Sequence, residues 1–259
     1  MSKLEICALA SGSNGNCYYV GNEQEAILID AGLSARQLQR RLAEKQIDPS
    51  KIKAVLITHE HSDHSRGARV LSKRLHIPVY LTKKTYLAMR RAVQPDVPRW
   101  FELNKEFQLG EFSVFPFSKQ HDAVEACSFR VSYAGRHVGV MTDIGEPCDR
   151  VKEHFSMCHA VFLESNYDED MLMSGPYPYH LKQRVASARG HLSNEQAFQL
   201  LEKHAGGQLH TIFLSHLSGQ NNTPEKASAV FEPFNKTYRI ELTSRHGATD
   251  VVSMEIDQE

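Results

Sequence analysis

Thr58-His59-Glu60-His61-Ser62-Asp63-His64 is the stretch from which the rest of this chain can be read. His59, His61, Asp63 and His64 fall within six residues, directly after the apolar run Ala54-Val55-Leu56-Ile57-Thr58, which reads as a buried strand. A strand exit fixes the direction of the chain, so the following loop can converge side chains on one point. His59 and His61 alternate, and an extended segment turns both to one side, while Asp63 and His64 lie past the turn and reach a second position nearby. Imidazole and carboxylate are the donors that hold a divalent metal. Each site needs further ligands, and the chain offers them at other predicted strand ends: His121 after EFSVFPF, Asp143 after HVGVM and His216 after TIFL.

Outward from this stretch, β-rich runs alternate with helical patterns. LEICAL, CYYV and AILID precede a helix expected over 34–46, with Ser34 placed to cap its free N–H groups. A second helix is expected over 65–75, and 106–143 reads as consecutive strands joined by turns such as Ala134-Gly135-Arg136. Then come AVFLES, helices expected over 182–189 and 193–203, the strand HTIFLSH, and a helix opening at Thr223-Pro224-Glu225. Ser193 with Gln196 forms a capping-box pattern, and Pro224 suits a first helical position because the N–H it lacks would be unpaired there. YRIELTS and VVSMEI close the chain as strands. Interleaving without a linker or repeat predicts one α/β domain over 1–259.

Composition narrows the function. With 41% hydrophobic residues, net charge −1 and a pI of about 6.9, no global field draws the chain to nucleic acid or a membrane, so a polyanion must be held by a local patch. The five cysteines are scattered and form no CxxC pair, which fits free thiols in a reducing compartment. No signal-peptide core and no run approaching a membrane span is visible, so the expected location is cytoplasmic.

The HxHxDH pattern with its later His, Asp and His resembles the metallo-β-lactamase superfamily over the span from Asp30 to His216. The resemblance implies a four-layer αββα sandwich and two divalent metal ions. It puts His59, His61 and His121 on the first metal, Asp63, His64 and His216 on the second, and Asp143 between them. Asp30, ahead of Ala31-Gly32, would orient a ligand from behind. The donor set favours zinc and also suits manganese or iron.

Three features bear on substrate. Between Ser65 and Pro95 there is no acid, yet Arg66, Arg69, Lys73, Arg74, Lys83, Lys84, Arg90 and Arg91 lie there, as a phosphate track or as an ordinary solvated face. Gly190-His191-Leu192-Ser193 resembles the late histidine motif of ribonuclease Z-like nucleases, with His191 as a donor to a leaving alkoxide. Together with Ser11-Gly12-Ser13-Asn14-Gly15-Asn16, Leu163-Glu164-Ser165-Asn166 and Leu214-Ser215-His216-Leu217-Ser218, it is similar to the YycJ-type subgroup across almost the whole chain. That implies a phosphodiesterase, a 5′-to-3′ exonuclease on DNA in preference to RNA. It would use a metal-bridging hydroxide, with Asp63 and His191 as catalytic groups. A small-molecule hydrolase, either a thioesterase or a lactonase, would share every ligand without needing a basic track. A non-catalytic metal-bound regulatory or nucleic-acid-binding module is the third reading.

Overall fold

AVLIT and TIFLS lack the polar alternation of a half-buried strand because both of their faces are covered. Ala54 and Leu56 point into one apolar cluster, and Val55 and Ile57 into another. In the computed structural model, which describes residues 3–256, the same two-faced burial holds for Cys17–Gly21, Ala26–Ile29 and Ala160–Glu164. The predicted domain of 1–259 begins and ends just outside the described residues.

The strands are β1 (Lys3–Ala10), β2 (Cys17–Gly21), β3 (Ala26–Ile29), β4 (Ile52–Leu56), β5 (Val79–Leu81), β6 (Pro98–Trp100), β7 (Phe107–Leu109), β8 (Phe112–Ser118), β9 (Cys127–Tyr133), β10 (Arg136–Met141), β11 (Ala160–Glu164), β12 (Thr211–Ser215), β13 (Arg239–Leu242) and β14 (Val252–Glu255). They form two seven-stranded sheets, β14-β1-β2-β3-β4-β5-β6 and β13-β12-β11-β10-β9-β8-β7. Each sheet is mixed: β14 through β3 pair antiparallel and β3 through β6 parallel. In the second sheet, β7 through β10 pair antiparallel and β10 through β13 parallel.

The helices are α1 (Ala35–Glu44), α2 (Ser62–Ser65), α3 (Ala68–Leu75), α4 (Lys83–Ala88), α5 (Asp149–Ser156), α6 (Glu169–Ser174), α7 (Tyr179–Val185), α8 (Asn194–His204) and α9 (Pro224–Phe231). Leu38, Leu42 and Leu71 of α1 and α3 cover the outer face of the first sheet. Val151, Phe155, Leu200, Leu201 and Phe231 of α5, α8 and α9 cover that of the second. Between the sheets, Ile6, Ile29 and Leu56 meet Phe129, Val140, Phe162 and Phe213. These three apolar interfaces make the four layers of an αββα sandwich.

Capping signals act where the sequence puts them. Ser34 with Gln37 and Ser193 with Gln196 close complete capping boxes, and the Thr223 side chain accepts from Lys226 N with Pro224 in the first turn. Two expected helices differ in extent, and α4, α5 and α6 form where no helix was expected. The stretch 65–75 is broken into α2 and α3, because the Gly67 N–H is bound to Ala31 O at 2.8 Å and a Cβ there would strike the Leu33 carbonyl. The helix expected over 182–189 instead runs from Tyr179 to Val185: Pro178 sets its start, and the His191 N–H returns to Val185 O at 2.9 Å.

Ala31-Gly32 clamps the metal-motif turn from below. Ala31 N donates to His64 O at 2.7 Å, Gly32 N to Asn16 O at 2.8 Å, and Asn16 N to Asp63 O at 2.8 Å. A Cβ on Gly32 would run into the Asp63 carbonyl oxygen and the Asn16 nitrogen, both backbone atoms. Gly32→Ala is therefore expected to cost about 3 kcal/mol, read as a fall in Tm of roughly 6–12 °C for a domain of this size. An unchanged melting curve would show that the clamp is loose.

Candidate metal centre

Six strand exits converge on one edge of the sandwich. Asp30 follows β3, the 59–64 loop follows β4, His121 follows β8, Asp143 follows β10, Glu164 ends β11 and His216 follows β12. Asp30, Asp143 and His216 have φ of 65°, 56° and 56°, in the left-handed region that side chains rarely enter. Such strain, about 1–3 kcal/mol each, persists because the cross-links around these residues leave no alternative.

The donor atoms of His59, His61 and His121 lie within 4.8 Å of one another, and so do those of Asp63, His64, Asp143 and His216. Asp143 stands between the groups: its Oδ2 is 3.1 Å from His64 Nε2 and its Oδ1 is 3.8 Å from His121 Nε2. Every predicted ligand is thus brought into one centre. His191 lies at its rim, with Nδ1 3.9 Å from Asp143 Oδ1.

The imidazoles are turned so that Nε2 faces inward. His64 Nδ1 donates to Asp30 Oδ2 at 2.6 Å, His216 Nδ1 to Glu164 Oε1 at 2.9 Å, and His121 Nδ1 to Gly190 O at 3.0 Å. Thr58 Oγ1 gives its hydrogen to Asp30 and so receives the His59 Nδ1–H at 2.9 Å. An engaged Nδ1–H leaves the lone pair on Nε2, the arrangement by which an outer carboxylate or carbonyl orients a metal ligand. His59 Nε2, His121 Nε2, His216 Nε2 and Asp143 Oδ2 are buried without a hydrogen-bond partner among the described residues. Unpaired buried polar atoms cost about 1–3 kcal/mol each, and a divalent cation at their convergence removes that cost. The residues fit divalent metal ions.

Electrostatics separate the two groups. Burial pushes His59 well below the ordinary imidazole value and His121 down to about 4, so both are neutral at pH 7. His64 and His216 move the other way. Against burial, the carboxylates of Asp143, Asp30 and Asp63 lift His64 well above its ordinary value, and Asp143, Asp63 and Glu164 lift His216 to about 10. Asp63 and Asp143, despite burial, are held below the carboxylate range by the same histidines.

A metal entering beside His64 and His216 must expel protons, whereas one entering beside His59 and His121 finds free lone pairs. Since a raised pKa means a proton bound at neutral pH, affinity at the Asp63/His64/His216 position is expected to rise with pH, about tenfold per unit for each proton displaced. The other position, where His59 and His121 are already neutral, should rise less steeply between pH 6 and 8. Chelator competition at several pH values measures both slopes, and equal slopes would contradict the assignment.

A family model described as a β-lactamase superfamily domain matches residues 25–213. The chain belongs to the metallo-β-lactamase superfamily. It is 36% identical over 224 residues, 85% of this chain and 83% of the relative, to the exodeoxyribonuclease WalJ of Streptococcus pneumoniae. It is 34% identical over 227 residues, 86% of each chain, to the exodeoxyribonuclease YycJ of Bacillus anthracis. Among solved structures, the metallo-β-lactamase fold protein YhfI from Bacillus subtilis superimposes with a TM-score of 0.74 at 15% identity, covering 97% of this chain and 100% of that one.

In this member of the metallo-β-lactamase superfamily, Glu164 is the residue whose role the sequence reading missed. Its Oε1 takes the Nδ1 hydrogens of His191 at 2.8 Å and His216 at 2.9 Å. Its Oε2 accepts from the backbone nitrogens of Ile144 at 2.6 Å and Leu192 at 3.2 Å. One fully buried carboxylate thus ties together the loops of Asp143, His191 and His216. It stands at a strand exit, the signal already applied to Asp143 and His216. The 11–16 loop is also part of the centre, since Asn16 Nδ2 lies 3.0 Å from His64 Nε2.

The basic stretch is only partly a track. Arg66 binds the backbone oxygens of Gly32 and Asn14, Arg69 and Lys73 pair with Asp96 at 3.1 and 3.2 Å, and Lys84 pairs with Glu125 at 2.9 Å. Arg74, Lys83, Arg90 and Arg91 remain exposed. His76, His154 and His204 join none of the clusters among the described residues.

Proposed function

We propose that this chain is a metal-dependent exodeoxyribonuclease, cleaving DNA phosphodiesters in the 5′-to-3′ direction with two zinc ions as the native metals. The observation that carries the reading is the pairing of two donor clusters with His191 and Glu164 at their rim, in a chain 34–36% identical to relatives named exodeoxyribonucleases. His59, His61 and His121 would hold one ion, Asp63, His64 and His216 the other, and Asp143 would bridge. When bound, the ions supply Lewis acidity to the phosphoryl oxygens and a nucleophile at neutral pH.

The chain's own residues do the rest. Asp63, kept as a carboxylate and partly exposed at the mouth of the centre, orients the attacking water. His191 is fixed through Nδ1 by Glu164, which leaves Nε2–H to deliver a proton to the leaving oxygen when the ring is an imidazolium. His191 keeps 22% of its side chain exposed, as a group that must meet a polymer does.

We further propose that 1–259 is one domain, since both sheets share a single central core. Among the described residues no helix is long and apolar enough to cross a membrane, and all five cysteines are free thiols, which supports a cytoplasmic location. Cleavage of end-labelled single- and double-stranded DNA and RNA by metal-reconstituted protein tests the function, with His64→Ala as the control for contaminating nuclease. A DNA ladder absent from the variant is expected. Inertness on every polymer with turnover of a thioester or lactone would overturn it.

A further inference from the structure

A concavity of about 220 Å³ opens beside the metal centre. Ser11, Ser218, Thr223, Ser244, Arg245 and His246 line it, from the segments that follow β1, β12 and β13 and the start of α9. Ser11 is the shared wall: its Oγ accepts the His216 N–H at 2.7 Å, and its own N–H donates to Ser244 O at 3.1 Å. Leu217 and Ser218, which also line the cavity, directly follow His216 in the chain.

The lining contains no carboxylate. Ser218 Oγ accepts the Asn221 N–H at 3.2 Å and Ser244 Oγ accepts the His246 N–H at 3.0 Å, so each hydroxyl keeps its own hydrogen to give. Arg245 spends one Nη2 hydrogen on Leu217 O at 2.8 Å; its Nε and Nη1 have no acceptor among the described residues. Its guanidinium lies against Gly219, where a Cβ would collide with it. A site built of donors selects a ligand that only accepts. The start of α9 adds nothing here, since Thr223 already caps it. The larger cavity beside Trp100 differs in chemistry: Glu102, Glu106 and Glu125 line it and offset its lysines.

We propose that this cavity is a pocket for the terminal phosphate monoester of a DNA strand, held by Arg245, Ser218 and Ser244 while the neighbouring phosphodiester lies at the metal centre. A phosphate monoester presents acceptor oxygens and nearly two negative charges, which the free donors of Arg245, Ser218 and Ser244 match. The proposal rests on the nuclease reading and deepens it, because a pocket for a strand's terminal phosphate beside the metal centre makes cleavage start from an end.

Short oligothymidylates with uncleavable methylphosphonate linkages, bearing a 5′-phosphate, a 3′-phosphate or neither, are titrated calorimetrically into the metal-loaded protein. One phosphorylated terminus should bind about tenfold or more tightly than the unphosphorylated strand, as charge-assisted hydrogen bonds predict, and its identity assigns the end. Arg245→Gln should bring that ratio close to one, and Ser244→Ala, at an exposed position, should reduce it in part. Equal affinity for all three strands, or a ratio untouched in both folded variants, would overturn the pocket. Hydrolysis of bis(p-nitrophenyl) phosphate and of DNA by the unmodified protein reports the metal centre separately. If neither is cleaved while the Arg245-dependent preference persists, the nuclease reading fails and the phosphate pocket stands.

Discussion

Asp143→Asn is expected to leave the protein folded but to lower bound metal below two ions per chain and DNA hydrolysis by about 10³-fold or more. Asp143 is 2% exposed and is the carboxylate that approaches both donor groups, with His64 Nε2 at 3.1 Å, His216 Nδ1 at 3.6 Å and His121 Nε2 at 3.8 Å. Asparagine keeps the shape and removes the charge. It also removes the anion that raises His64 and His216, so those rings become easier to deprotonate even as the centre loses its bridge. Metal analysis alongside circular dichroism separates lost ions from lost fold. A variant that kept two ions and full turnover would place the bridge elsewhere.

The second large effect is at His191. His191→Ala should reduce kcat on DNA by about 10²–10⁴-fold, the usual worth of a positioned general acid, with metal content retained. The discriminating substrate is bis(p-nitrophenyl) phosphate, whose leaving group departs without a proton; there the loss should be under about tenfold, because protonation of the leaving oxygen is what the ring provides. An equal loss on both substrates would make His191 a positioning residue, and a parallel loss of metal would make it structural. Glu164 complicates its own substitution, since it anchors both His191 and His216. The ring beyond it is therefore the cleaner test.

Much of this centre was legible because its signals are local. His59, His61, Asp63 and His64 lie within one loop, and His121, Asp143 and His216 each follow an apolar run within a few residues, which marks a strand exit without any tertiary knowledge. Glu164 obeyed the same rule but sat inside Leu163-Glu164-Ser165-Asn166, where its acid read as part of a motif with no task. The two readings of the basic stretch stayed open for the opposite reason: Asp96 and Glu125, which pair with Arg69, Lys73 and Lys84, lie outside the acid-free window.

By itself the sequence determined the alternation of strands and helices and the ligand types, because apolar runs, helix caps and donor clusters are written in residues a few positions apart, while the order of the layers came from the family resemblance. Only the tertiary structure decided which ring nitrogen faces the metals. That choice depends on pairings far apart in the chain: Asp30 with His64, Gly190 with His121, and Glu164 with His216. It also decided the left-handed turns at Asp30, Asp143 and His216, which no local preference demands and which the packed loops impose. The physical reason is the same in each case: a hydrogen bond between residues far apart in the chain leaves no periodicity along it, so it exists only once the fold has brought the strand exits together.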